Sequence, residues 1–189
     1  MKRKLAQSVL AVAMSAVLIV AGCSTSWIQI ALNDLPVLTQ IAVNIASILA
    51  VAQKQATVDP NTANQIQAVS SQIQAGLTTV QNLITSYQSA PAASKATILG
   101  QIDTALGAVQ GQLNNILQVA HIANPQLQAT VTGAVTLALA TIVAIQSLVP
   151  AKAGTVKANM PIKPLSPKEL KAQFDALVDA NGFGQFALR

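Results

Sequence analysis

The stretch "QIQAVSSQIQAGLTTVQNLITSY", residues 65–87, sets Ile66, Val69, Ile73, Gly76, Val80, Leu83 and Tyr87 at alternating steps of three and four. Such steps return side chains to one face of an α-helix every two turns, so the segment reads as a single helix with a sustained heptad seam. Gln, Asn, Ser and Thr occupy most positions between. The following segment repeats the pattern with Leu99, Ile102, Leu106, Val109, Leu113, Ile116 and Ala120. Two consecutive seams of this kind need partners to cover them.

The partners lie on either side. Residues 35–54 are apolar except for a stripe of Gln40, Asn44 and Ser47, which predicts a helix with one wet face. Residues 125–149 carry no charge and are apolar on nearly every side, interrupted by Thr130, Thr132, Thr136, Thr141 and Gln146. Helix punctuation repeats with regularity along the chain. "DLP" at 34–36, "DP" at 59–60, "NP" at 124–125 and "SPKE" at 166–169 each put a capping side chain beside an early proline, and Pro91 marks a further start. Glu169 three residues after Ser166 completes a capping box. Strand signals are nearly absent.

Short connections between such helices favour antiparallel neighbours, so the fold class expected is all-α: an antiparallel four-helix bundle over 34–149, a Pro/Lys linker over 150–166, and a short amphipathic C-terminal helix and tail over 167–189. In the last segment Leu170, Phe174, Leu177 and Val178 share one face, and Asn181-Gly182 should end the helix. Gly76, Gly107, Gly111 and Gly133 fall inside helices, where glycine costs about 1 kcal/mol relative to alanine. Close approach of neighbouring helices is the expected return.

A search for chemistry finds no catalytic, cofactor-binding or metal-binding set. His121 is the only histidine and sits near a helix end; Asp34 and Asp59 are read as caps, and Asp103 as a solvated carboxylate. One histidine and one cysteine cannot make a metal site of ordinary ligand count. No pair of carboxylates converges for acid and base work. The expectation is a protein that is not an enzyme.

The single cysteine has a distinctive setting. Lys2, Arg3 and Lys4 precede an apolar run over 5–20, followed by Ala21, Gly22 and Cys23, which is the layout of an export signal. The segment "VAGC", residues 20–23, resembles the lipobox of bacterial lipoproteins. The resemblance covers residues 1–23 and implies a signal peptide over 1–22, cleavage between Gly22 and Cys23, and fatty acyl chains on the Cys23 thiol and amine, with 23–33 as a lipidated tether. Several acyl chains give stable attachment where one binds reversibly. Ser24, where the family's inner-membrane retention signal would place Asp, implies the outer membrane, facing the periplasm.

Removal of the signal also changes the charge argument. The chain has 11 basic and 6 acidic residues, three of the basic ones being Lys2, Arg3 and Lys4, which leaves 8 against 6. Nucleic-acid binding loses its support. From Thr104 to Ala151 there is no Asp, Glu, Lys or Arg, so little charge repulsion keeps copies apart, and self-association or an envelope protein partner is compatible with the surface. Trp27 is expected either at the headgroup level or packed on the first helix.

The functional expectation is therefore a lipid-anchored, non-enzymatic structural or interaction module, its membrane contact made through Cys23. Two alternatives come from other classes: a carrier holding an apolar ligand or lipid between its helices, and a protein that inserts residues 129–149, which are long enough to cross a bilayer.

Overall fold

The computed structural model describes residues 26–54, 58–119, 122–150 and 164–189. Among these residues five α-helices, α1 (Ser26–Lys54), α2 (Pro60–Ser89), α3 (Ala92–Val119), α4 (Pro125–Leu148) and α5 (Pro167–Ala180), precede a 3-10 turn at Gly184–Phe186. No strand occurs among the described residues, whose regular structure is all helical.

Most helix boundaries follow from side-chain chemistry. The Asp59 carboxylate accepts from the Thr62 amide at 3.0 Å, and Asn124 Oδ1 accepts from the Leu127 amide at 2.9 Å, each just ahead of a proline that needs no donor. Ser166 and Glu169 satisfy each other's backbone in the expected capping box. The α5 end is a Schellman turn: Gly182 takes φ +81°, and the Phe183 amide donates to the Val178 carbonyl at 2.7 Å.

The first helix departs from expectation. Asp34 does not cap it; α1 starts eight residues earlier, at Ser26, and runs through Pro36. Trp27, Ile28 and Ala31 are buried and continue the apolar stripe of Leu35, Leu38, Ala42, Ile45, Leu49 and Ala52 without a phase break. Burial of that continuous stripe overrides the local break, since Pro36 lies on the exposed side and costs one backbone hydrogen bond. Residues 26–33 are thus helix rather than tether.

Packing follows the chain. α1 and α2 touch, as do α2 and α3, α3 and α4, and α4 and α1, while α5 lies against both α1 and α4. The α3 seam is buried as read from Leu99 through Ile116; Ala120 lies outside the described residues. In α2 the buried row is Ala63, Ile66, Ser70, Ile73, Leu77, Val80, Ile84 and Tyr87. Val69 and Leu83 are only partly covered, and Gly76 is half-buried. Three of the seven expected seam positions are therefore shifted by one residue, because α2 is covered from two sides: a β-carbon at Gly76 would sit 2.6 Å from Val109 Cγ2 of α3.

The wet stripe of α1 is partly covered as well. Gln40 is exposed, but Asn44 Nδ2 donates to the Phe186 carbonyl at 2.6 Å, tying the C-terminal tail across α1. α5 buries Leu170, Phe174 and Val178 fully, and Leu177 lies over Gly133, where a β-carbon would meet Leu177 Cδ1 at 2.7 Å. Gly133 lets α5 approach α4. Gly107 and Gly111 face open space, so close approach explains Gly76 and Gly133 and not these two.

Among the described residues α1 and α4 are the two helices long and apolar enough to cross a membrane, each with a mean hydropathy of 1.9, and about half of each apolar window is buried inside the protein. α5 covers the helices that most need covering. Replacing Gly133→Val should cost about 1–3 kcal/mol by overpacking against Leu177, and Leu177→Ala in the same chain should recover part of it. Urea unfolding of the two single variants and the double variant checks this; additive losses would contradict the docking geometry.

Candidate functional site

Gly22 and Cys23, the residues expected to carry processing and lipidation, lie outside the described residues, as does His121. What the structure provides is the platform that follows them. Three residues after Cys23 the chain enters α1, and its second residue, Trp27, is only 2% exposed. The indole packs edge-on against Tyr87 in the last turn of α2, with ring centroids 5.6 Å apart and planes at 61°. Lys95, in the first turn of α3, sets Nζ 4.9 Å from the centre of the Tyr87 ring. Three helix ends are pinned together there, and of the two placements expected for Trp27 the structure has packing, though against α2.

Asp34 is the most unusual polar group in this half of the molecule. Its exposure is 0%, and neither carboxylate oxygen has a hydrogen-bond partner. Burial raises its pKa from 3.8 to about 6. α4 carries no charged residue, and the titratable groups of α2 and its cap are Asp59 and Tyr87. No cation among the described residues is placed to pair with Asp34. The sequence held a signal for this burial: Asp34 stands seven residues after Trp27 and eleven before Ile45, on the apolar stripe itself.

The other buried polar side chains divide by how they are satisfied. Thr130 and Thr141 donate to the carbonyls of Gln126 and Leu137 at 2.8 and 2.9 Å, four residues back in α4. Ser70 Oγ and Trp27 Nε1 have no partner. Asp103 is exposed, and no cluster of three or more metal-ligating side chains occurs among the described residues.

Two spaces bear on ligand binding. The void between Leu38, Ile41, Ile73, Leu77, Leu113 and Ile142 measures about 10 Å³, at the lower limit for one water. An open groove of about 660 Å³ runs between α2 and α3, lined by Thr79, Leu83, Thr97, Gly100, Thr104 and Ala108. It holds no titratable side chain, so it offers shape and hydroxyl groups without acid–base chemistry. Comparison with family models, curated proteins and solved structures found no match.

The pH dependence has a definite sign. Because the folded carboxyl binds its proton more tightly than the unfolded one, Asp34 imposes no ionisation penalty below about pH 3.8. The penalty grows from there and is complete above about pH 6, where it amounts to roughly 3 kcal/mol. Asp34→Asn should therefore raise stability at pH 7.5 and have much less effect at pH 4. Urea unfolding at both values checks it, and an unchanged pH profile in the variant would contradict the assignment.

Proposed function

We propose that the chain is a lipid-anchored envelope lipoprotein, held through acyl chains on Cys23 at the outer membrane and facing the periplasm. Its mature part is an antiparallel four-helix bundle, closed on one side by α5, and acts as a non-enzymatic structural or interaction module. The observation that carries the reading is positional. A cysteine ending an export signal in "VAGC" stands three residues before a helix whose buried face begins at once.

The contacts support the antiparallel arrangement. Trp27 at the start of α1 meets Tyr87 at the end of α2, and Lys95 at the start of α3 meets the same ring. Direct contact of α4 with both α3 and α1 closes the ring of four helices. The void among the four helices, about 10 Å³, is far below the 300–1,000 Å³ of typical ligand pockets, and the 660 Å³ groove between α2 and α3 lies open on the surface, which supports a structural role over a carrier that encloses its ligand. The partner surface is the amide- and hydroxyl-rich outside of α2 and α3, suited to a second copy or to an envelope protein.

Membrane insertion is the second reading, favoured by the mean hydropathy of 1.9 in α1 and α4. Against it, both helices have covering partners, and α5 adds Leu170, Phe174 and Val178 to the same faces. Mass spectrometry of the protein purified from envelopes should show an N-terminal, acylated Cys23, and Cys23→Ala should accumulate as uncleaved precursor. An unmodified Cys23 in the wild type would overturn the anchor. A chain beginning at Ser24 should stay soluble without detergent and melt cooperatively; stable partition into liposomes would favour insertion.

A further inference from the structure

The end of the molecule nearest Cys23 has a composition of its own. In the antiparallel arrangement it is built from the start of α1, the end of α2, the turn at Ala90-Pro91, the start of α3 and the uncharged end of α4 over 147–150. Trp27 and Tyr87 form its floor, 2% and 7% exposed, and Lys95 rests on that floor. Gln88, Ser89, Pro91, Ala92, Ala93 and Ser94 are exposed around it, all uncharged. Within the first turns of α1, the last turns of α2, the turn and the first turn of α3, Lys95 is the one charged side chain; Asp34 lies eight residues into α1, about 12 Å along the helix, and is buried. The exposed carboxylates of the four long segments lie elsewhere: Asp103 is eight residues further along α3, about 12 Å away, and Asp59 is at the opposite end of α2, about 40 Å from Tyr87.

The covalent chain limits where this end can be. From Cys23 to Ser26 is three residues, which span at most about 10 Å fully extended. An anchor at Cys23 thus holds the Trp27 end within about one headgroup layer of the bilayer, whatever path those residues take. The remaining freedom is tilt: the helices either stand on this end or lie along the surface. Uncharged exposed residues and one lysine suit standing on headgroups, since a cation near an anionic surface is attracted, while the carboxylates of α1 and α3, Asp34 and Asp103, lie two turns or more along their helices from this end. We propose that the Trp27–Tyr87–Lys95 end seats on anionic phospholipid headgroups, with the helices projecting away from the membrane. This seating rests on the Cys23 anchor.

Trp27 is the only tryptophan, which supplies the probe. The full protein as purified is reconstituted in phosphatidylcholine vesicles with and without phosphatidylglycerol, each carrying a headgroup nitroxide lipid. Trp27 emission should be quenched. A second chain with Asn61→Trp added at the far end of α2 leaves Trp27 and its packing untouched, and its new emission should remain unquenched. Lys95→Glu should lose the additional quenching that phosphatidylglycerol confers. Equal quenching of both tryptophans would overturn standing in favour of lying flat, and no response to Lys95→Glu would overturn the headgroup contact. Mass analysis of the same sample reads the anchor separately. Should Cys23 carry a free thiol, the anchor falls, and the same quenching is measured after coupling that thiol to a maleimide lipid. Failure of seating and failure of acylation are then distinct results.

Discussion

α1 is apolar over more of its circumference than one neighbour can cover, and the architecture is the set of elements needed to cover it. Thirteen of its residues are buried, from Trp27 to Ala52. Each fully buried Leu or Ile contributes roughly 1.5–3 kcal/mol relative to exposure, so leaving one side of α1 open would sacrifice several such terms. α2 and α4 flank it, and α5 and the C-terminal tail close over the third side through Phe174 and the Asn44 bond to the Phe186 carbonyl. α4 has the same requirement and shares the same cover. Among the described residues the two helices with membrane-like hydropathy are those that α5 touches.

The polar groups inside this arrangement show two ways of placing hydroxyls and carboxyls in an apolar core. Threonines of α4 return their protons to the helix's own carbonyls, which makes them compatible with burial and explains an apolar helix so rich in threonine. Asp34 has no such internal acceptor or donor, and its ionised form is opposed by desolvation alone. It therefore weakens the packing near the Trp27 end at neutral pH, while Trp27, Tyr87 and Lys95 hold three helix ends together beside it. Cohesion and strain lie within a few turns of each other in α1.

Much of this was legible in the sequence, and the exceptions have physical reasons. Heptad spacing located α2 and α3, and Asp59, Asn124 and Ser166 marked starts because a capping side chain followed by proline has one dominant local use. The same reasoning failed at Asp34-Leu35-Pro36, where tertiary burial of Trp27, Ile28 and Ala31 outweighs the local signal. In α2, Ile66, Ile73, Val80 and Tyr87 were identified. Their companions Ser70, Leu77 and Ile84 were not, since two adjacent seams are equally periodic and only the neighbours decide between them. Docking of α5 depended on Gly133, whose empty side chain matters only once Leu177 is opposite it. Cys23 lies outside the described residues, so its reading rests on the sequence signal alone; Lys95 was not legible, because nothing local to it announces a tyrosine eight residues earlier as its floor.

Native-state hydrogen exchange tests the central position of α1 most directly. If the fold exists to cover α1, the amides of Ile41, Ile45, Ile48 and Leu49, all at or near complete burial, should exchange only through global unfolding and share the full denaturant dependence of the protein. The outer turns of α2 and α3 should open sooner. The contradicting result is an α2–α3 hairpin that retains protection after the α1 amides have exchanged, which would place the stable core in that hairpin and leave α1 as an accessory to it.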